Sequence, residues 1–241
     1  MNPGSPVSPV SIDTIIFDLD GTLVDTELAA AQAIQGCFHS WNLAIDPTDA
    51  QYITGRTWEK AFEFMFGKYK LPVSPEEGAA QMLAAYRVAL NTHLKIVPGA
   101  ADAVRALSAH FPLALVSGSH RSEIFFCLEQ LGVREHFQVI LGAEDYPHSK
   151  PAPDGYLKAL SQMNRSAERT LIFEDSTAGI TSACAAGAWV VAITGTNHFG
   201  QDNSLAHFHI EDLCEVDASW VREFGNAVLS RIRRSSPINS T

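Results

Sequence analysis

The chain is poor in positive charge, in paired cysteine and in long apolar runs, and each shortage removes a class of function. Lys and Arg number 17 against 27 Asp and Glu, for a net charge of −10. Nucleic acids and anionic membranes are bound through dense basic patches, so neither is an expected partner. The four cysteines, Cys37, Cys127, Cys184 and Cys214, lie far apart with no C-x-x-C pair. That spacing offers no disulfide framework and predicts a reduced, cytoplasmic chain. No apolar run approaches the length needed to cross a bilayer. The opening stretch MNPGSPVSPV has no Lys, no Arg and no continuous apolar segment, so it does not fit a signal peptide; residues 1–11 and 235–241 are expected to be flexible ends.

What is present is 46% hydrophobic residues in 241, ample for a globular core of one large or two modest domains. Short apolar runs recur at Thr14–Phe17, Leu113–Val116, Val139–Leu141, Thr170–Phe173 and Trp189–Ile193. Continuous rather than alternating apolar character predicts strands covered on both faces. Helical stripes separate them. Ala103, Val104 and Leu107 mark one, and Ile124, Phe125, Leu128 and Leu131 another, with Gly132 placed to end it. The alternation predicts an α/β fold with a doubly wound parallel sheet.

One interval breaks the rhythm. Between Asp25 and Pro98 there is no convincing strand, only three helical stripes: Ile34, Cys37, Phe38 and Trp41; Trp58, Ala61, Phe62, Met65, Phe66 and Tyr69; and Met82, Ala85, Tyr86, Ala89 and Leu90. Spacings of three and four residues place each set on one helix face, where the aromatics pack one another. The expected organisation is a core from 12–25 and 98–234 with an inserted helical cap at 26–97. The Ala- and Ser-rich stretch from Gly179 to Gly187 predicts a helix packed closely on the sheet, and Trp220–Arg234 a C-terminal amphipathic helix.

The first apolar run ends in two acids, Asp18 and Asp20, followed by Gly21 and Thr22. In open parallel sheets ligands bind just beyond the carboxyl ends of strands, so this pair is aimed at the expected site. Other strand ends are polar as well: Ser117-Gly118-Ser119 after the second run, Glu174-Asp175-Ser176 after the fourth, and Lys150-Pro151 after the third. Singly, each has an ordinary explanation as a turn former, a solvated charge or a helix cap. Together they predict carboxylates, hydroxyls and an amine on one rim. Several carboxylates in one pocket repel unless a hard cation lies among them; Mg²⁺ suits such oxygen ligands, and beside a lysine it makes a place for a phosphoryl group.

These residues carry a resemblance. DLDGTLVD, from Asp18 to Asp25, resembles the first motif of the haloacid dehalogenase superfamily of aspartate-nucleophile phosphohydrolases. Ser117 matches its second motif, Lys150 in KPAPDGY its third, and Glu174-Asp175 in EDSTAGI its fourth, in the right order from Ile12 to about Leu213. The helical interval is similar to the small cap of the subfamily with phosphoglycolate phosphatases, sugar-phosphate phosphatases and β-phosphoglucomutase. The resemblance implies that Asp18 is the nucleophile and forms an aspartyl-phosphate, with Asp20 as acid and then base. It implies that Asp18, the backbone carbonyl of Asp20 and Asp175 hold Mg²⁺, with Glu174 ligating or orienting a water. Thr22, Ser117, Gly118 and Lys150 would hold the phosphoryl oxygens. The implied partner is a small phosphorylated metabolite, acted on by a monomer or weak homodimer.

Two alternatives stand beside hydrolysis. A β-phosphoglucomutase-like enzyme carries a histidine shortly after the first motif; here the stretch is DTELAA, Asp25–Ala30, with Ala30 at that position, and Thr22 follows Gly21 where the mutase has a smaller apolar residue. Both departures favour water as acceptor. Response-regulator receivers share an acidic cluster, a hydroxyl and a lysine, but lack the D-x-D pair and the cap; a degenerate phospho-binding module would be expected to lack core motif residues that are all present here. In the cap, Arg56 within Ile53–Thr57 is placed to meet an anionic or hydroxylated leaving group or to be a solvated helix-start arginine. Glu27 faces the site or simply occupies a helix's first turn. His120 and His198 read as surface histidines.

Overall fold

The computed structural model describes residues 11–53, 58–198 and 200–225, with the backbone alone at positions 27, 51 and 93. Arg56 and the side chain of Glu27 lie outside the described residues, as do residues 1–10, the part of Trp220–Arg234 beyond 225, and 235–241. In chain order the elements are β1 (Thr14–Phe17), β2 (Val24–Asp25), α1 (Glu27–Ser40), α2 (Pro47–Ile53), α3 (Trp58–Lys68), α4 (Pro75–His93), β3 (Lys95–Ile96), α5 (Ala100–Ser108), β4 (Leu113–Val116), α6 (Arg121–Leu131), β5 (Phe137–Leu141), α7 (Asp154–Met163), β6 (Thr170–Glu174), α8 (Thr177–Ala185), β7 (Trp189–Ile193) and β8 (Phe208–Ile210).

Six strands form one sheet in the order β5-β4-β1-β6-β7-β8, and every neighbouring pair is parallel. The apolar runs are strands because both of their faces are covered. Ile15, Phe17, Leu113, Leu115, Leu171 and Phe173 point to the face covered by α5 and α6. The alternate residues, Ile16, Ala114, Val116, Ile172, Val190 and Ala192, point to the face covered by α7 and α8. Phe17 and Phe173 stack across the central pair, ring centroids 4.9 Å apart. From β1 the chain winds outward through β4 and β5, then returns to the other side of β1 as β6. The strand order therefore reverses at β1, and the crevice this opens lies at the carboxyl ends of β1, β4 and β6.

Helix α6 ends as the sequence predicts, with Gly132 in the left-handed conformation at φ 62°. Among the described residues, four helices stand between β2 and β3. The three anticipated stripes pack as α1, α3 and α4, with Ile34, Phe38, Ala61, Met65 and Met82 buried and Phe38 edge-on to Tyr69 at 5.0 Å. Ser74 and Glu77 form a reciprocal capping box at the start of α4. Two features differ from the sequence reading. Helix α2 is short and carries little apolar periodicity, its start fixed by Asp46, whose Oδ1 accepts from the Thr48 amide at 2.8 Å. The interval also holds a strand after all: β3, two exposed residues, pairs antiparallel with β2, placing Asp25 opposite Lys95. No described helix is long and apolar enough to cross a membrane.

Candidate active site

Asp18 is the first residue past β1, and its amide donates to the Phe173 carbonyl at 3.0 Å, so the sheet ladder itself fixes where its side chain begins. The carboxylate is buried. Lys150 Nζ donates to Asp18 Oδ1 at 2.5 Å and to Glu174 Oε1 at 2.5 Å, bridging the ends of β1 and β6. Glu174, fully buried at the end of β6, is held from all sides: Tyr156 OH donates to Oε1 at 2.9 Å, while the Asp175 amide (2.9 Å), the Ser176 amide (3.0 Å) and Ser176 Oγ (3.2 Å) donate to Oε2. Burial opposes ionisation of Glu174, but Lys150 above all, then Ser176 and Tyr156, outweigh it and hold the carboxyl below its usual range. Asp18 is less well supplied. Burial pushes its carboxyl well above the usual range; Lys150 opposes this, but Glu174 and Asp20 add to it. Burial would lower Lys150, yet Asp18 and Glu174 raise it, so its ammonium stays charged.

Helix α8 closes the back of this set. A Cβ on Gly179 would stand 1.6 Å from Glu174 Oε1, so the carboxylate lies directly against that turn. Gly179→Ala is therefore expected to lower thermal stability and activity together, because a carboxylate so fully hydrogen-bonded has nowhere to move. Overpacking of this kind costs about 1–3 kcal/mol. A thermal melt with an unchanged midpoint would contradict the contact.

Asp20 has different partners. Its Oδ1 accepts from Thr26 Oγ1 at 2.8 Å, and its Oδ2 from Ser117 Oγ at 2.8 Å and Ser119 Oγ at 2.9 Å. The two acids of the pair thus diverge, one toward Lys150 and β6, the other toward β4 and the start of α1. Ser117 is fully buried, and its carbonyl is held by Tyr146 OH at 2.7 Å. Gly21 directly follows the acid pair at φ 83°, and a Cβ there would lie 2.0 Å from Asp175 Oδ2, so only glycine fits. Thr22 Oγ1 is buried with no hydrogen-bond partner among the described residues, and a Cβ on Gly118 would meet none of them within 4 Å.

Oxygens of Asp18, Glu174 and Asp175 all lie within 4.8 Å of one another. Three buried carboxylates with a single lysine among them carry an excess of negative charge, and Glu174 adds to the burial that drives Asp18 upward. An all-oxygen donor set of this kind fits a hard divalent cation. The Asp20 side chain is not among these three; its own carboxylate is occupied by hydroxyls.

The sequence model of haloacid dehalogenase-like hydrolases matches residues 15–193, most of the chain. The chain belongs to this family. The Streptomyces hygroscopicus subsp. limoneus validoxylamine A 7'-phosphate phosphatase is 30% identical over 203 residues, covering 83% of this chain and 94% of that one. The Arabidopsis thaliana bifunctional riboflavin kinase/FMN phosphatase is 29% identical over 181 residues; the match takes in 74% of this chain but only 48% of that longer protein. Among solved structures, CbbY from Rhodobacter sphaeroides in complex with phosphate superposes with a TM-score of 0.73 at 24% identity, covering 85% of this chain and 96% of that one, a likeness of fold.

Several residues around this haloacid dehalogenase-like site carried no role in the sequence reading. Tyr156 and Ser119 stand inside the quoted KPAPDGY and Ser-Gly-Ser stretches, where an aromatic after a turn and a second serine are unremarkable without coordinates. Thr196, from the loop after β7, donates to the Gly21 carbonyl at 2.6 Å and steadies the turn that follows the acids. His198, from the same loop, is more than a surface histidine: its Nε2 meets Oδ2 of buried Asp25 at 2.9 Å, the oxygen that Lys95 Nζ also reaches at 3.1 Å. His120 is exposed as expected and pairs with Glu144. Ala30 packs against the cluster of Tyr86 and Leu90.

Proposed function

We propose that this phosphoric monoester hydrolase transfers the phosphoryl group of a small sugar-like phosphomonoester first to Asp18 and then to water, with Mg²⁺ as cofactor. The observation that carries the reading is the Asp18 carboxylate, buried at the sheet's switch point between the Lys150 ammonium and the acidic cluster, with the partnerless hydroxyl of Thr22 close by in sequence.

In the first step an Asp18 oxygen attacks phosphorus in line, the bond from phosphorus to the leaving oxygen breaks, and Asp20 gives that oxygen its proton. In the second, Asp20 takes a proton from water, whose oxygen attacks phosphorus and frees Asp18 as inorganic phosphate leaves. Thr22 can donate its hydroxyl to a phosphoryl oxygen at no cost, since nothing else engages it. Lys150 offsets the repulsion between Asp18 and an anionic ester. Thr26, Ser117 and Ser119 hold the Asp20 carboxyl in place before substrate arrives. Asp18, the Asp20 carbonyl and Asp175 would hold Mg²⁺ with Glu174 beside them, and the ion would supply charge neutralisation and polarise the phosphoryl oxygens.

A small ester is the reading favoured by a helical insertion of this size next to the first motif, and by relatives named for phosphatase action on FMN and on validoxylamine A 7'-phosphate. Water as final acceptor is supported by Ala30, which stands at the sequence position where a mutase carries its histidine. The test is a panel of phosphometabolites assayed for released phosphate. Release is expected from a few small esters, lost with EDTA and restored by Mg²⁺. Release unaffected by EDTA would remove the metal from the reading, and an isomer in place of phosphate would turn the enzyme into a mutase.

A further inference from the structure

Thr26 stands at the cap position of α1 with its backbone already helical, at φ −95° and ψ −14°, and its hydroxyl caps none of the described amides of that helix. A threonine at this position ordinarily accepts from an amide of the first turn. Here the buried Thr26 hydroxyl donates to Asp20 Oδ1 at 2.8 Å instead. Whatever fixes the backbone at Thr26 therefore bears on the acid–base carboxyl.

Asp25, the residue before it, is fixed by its side chain, which is 1% exposed. Oδ2 faces both Lys95 Nζ at 3.1 Å and His198 Nε2 at 2.9 Å, while Oδ1 is buried with no hydrogen-bond partner among the described residues. With a lysine donating to the same oxygen, Asp25 is the acceptor and the imidazole the donor. A buried carboxylate is costly unless it is paired, so these two donors decide where Asp25 rests. They are not equivalent. Lys95 belongs to the same β2–β3 ribbon as Asp25 and cannot fix that ribbon relative to the sheet. His198 can, because it comes from the loop after β7, where Thr196 also holds the Gly21 carbonyl.

We propose that His198 is a positioning residue for Asp20: by donating to Asp25 it sets the backbone at Thr26, and with it the hydroxyl that orients the acid–base carboxyl. This rests on the phosphatase reading above, in which Asp20 gives the leaving oxygen its proton. A misplaced acid costs most on esters whose leaving oxygen needs that proton and least on those whose leaving oxygen departs as a stable anion.

The test measures kcat/KM, which reports the steps through cleavage of the ester, for the wild type, His198→Ala, His198→Gln and Asp20→Asn. The substrates are p-nitrophenyl phosphate, whose leaving oxygen departs without a proton, and benzyl phosphate and glucose 6-phosphate, whose leaving oxygens need one. The ratio of the better of these two esters to p-nitrophenyl phosphate is expected to fall about 10-fold in His198→Ala and about 10²-fold or more in Asp20→Asn. His198→Gln, whose amide can still donate to Asp25, is expected to keep the wild-type ratio. The p-nitrophenyl phosphate arm and a thermal melt report that the variants are folded. An unchanged ratio in His198→Ala overturns the proposal, and so does equal loss on all three esters, the pattern of a strut that only supports the loop. A fall in His198→Gln as deep as in His198→Ala overturns it as well. Equal loss on all three esters in Asp20→Asn removes Asp20 as the acid, and a wild type that hydrolyses none of them removes the phosphatase reading; the proposal falls with either.

Discussion

Asp18→Asn is expected to abolish turnover, lowering kcat on the order of 10⁴-fold or more, and to leave no phosphoenzyme after acid quench of a reaction with labelled substrate. The amide has nearly the shape of the acid but no nucleophilic oxygen, so the loss is chemical rather than steric. Stability should move the other way or hardly at all. The Asp18 carboxyl is buried and held well above its usual range, the mark of a charge the fold accommodates at a cost. Replacing it with a neutral group relieves that cost, while Lys150 keeps Glu174 as a partner. A variant that retains full activity, or one that is inactive because it melts early, would remove Asp18 as nucleophile or leave the loss to unfolding; the quench and the melt together separate the two.

Lys150→Ala is the second large effect. Loss of a preorganised charge aimed at a developing anion costs on the order of 10²- to 10³-fold in rate. Here the same deletion strips the only cation hydrogen-bonded to Asp18 and Glu174 among the described residues, leaving two buried carboxylates facing each other. Removing one member of a buried ion pair costs about 3–5 kcal/mol. Lys150→Ala should therefore be both slow and unstable, in contrast to Asp18→Asn, which should be inactive but well folded. An unaltered rate in Lys150→Ala would mean that the KPAPDGY match is accidental.

The elements most legible in the sequence were those under a single dominant force. The core strands are continuous apolar runs because both faces are buried, and their polar ends follow from the sheet's geometry. The cap stripes are legible for the same reason, as aromatic sets at helical spacing. What escaped was set by partners far away along the chain. Helix α2 has too little apolar surface to show a period, and β3 exists only because β2 runs alongside it. Tyr156 gains its place from Glu174, eighteen positions on, and His198 from Asp25 at the other end of the core. The separation of the two acids, Asp18 toward a lysine and Asp20 toward three hydroxyls, is invisible in the spacing D-x-D and needs the folded neighbours to appear.

The ribbon of β2 and β3 brings the two ends of the helical insertion side by side, Val24 opposite Ile96. To the sheet, everything between them is one closed loop, and the chain entropy of such a loop grows only logarithmically, by roughly 0.6 kcal/mol for each doubling of length. Helices can thus be lengthened, trimmed or exchanged outside that clasp with little consequence for the scaffold below. Variation in the insertion can proceed while the strand ends beneath keep their arrangement.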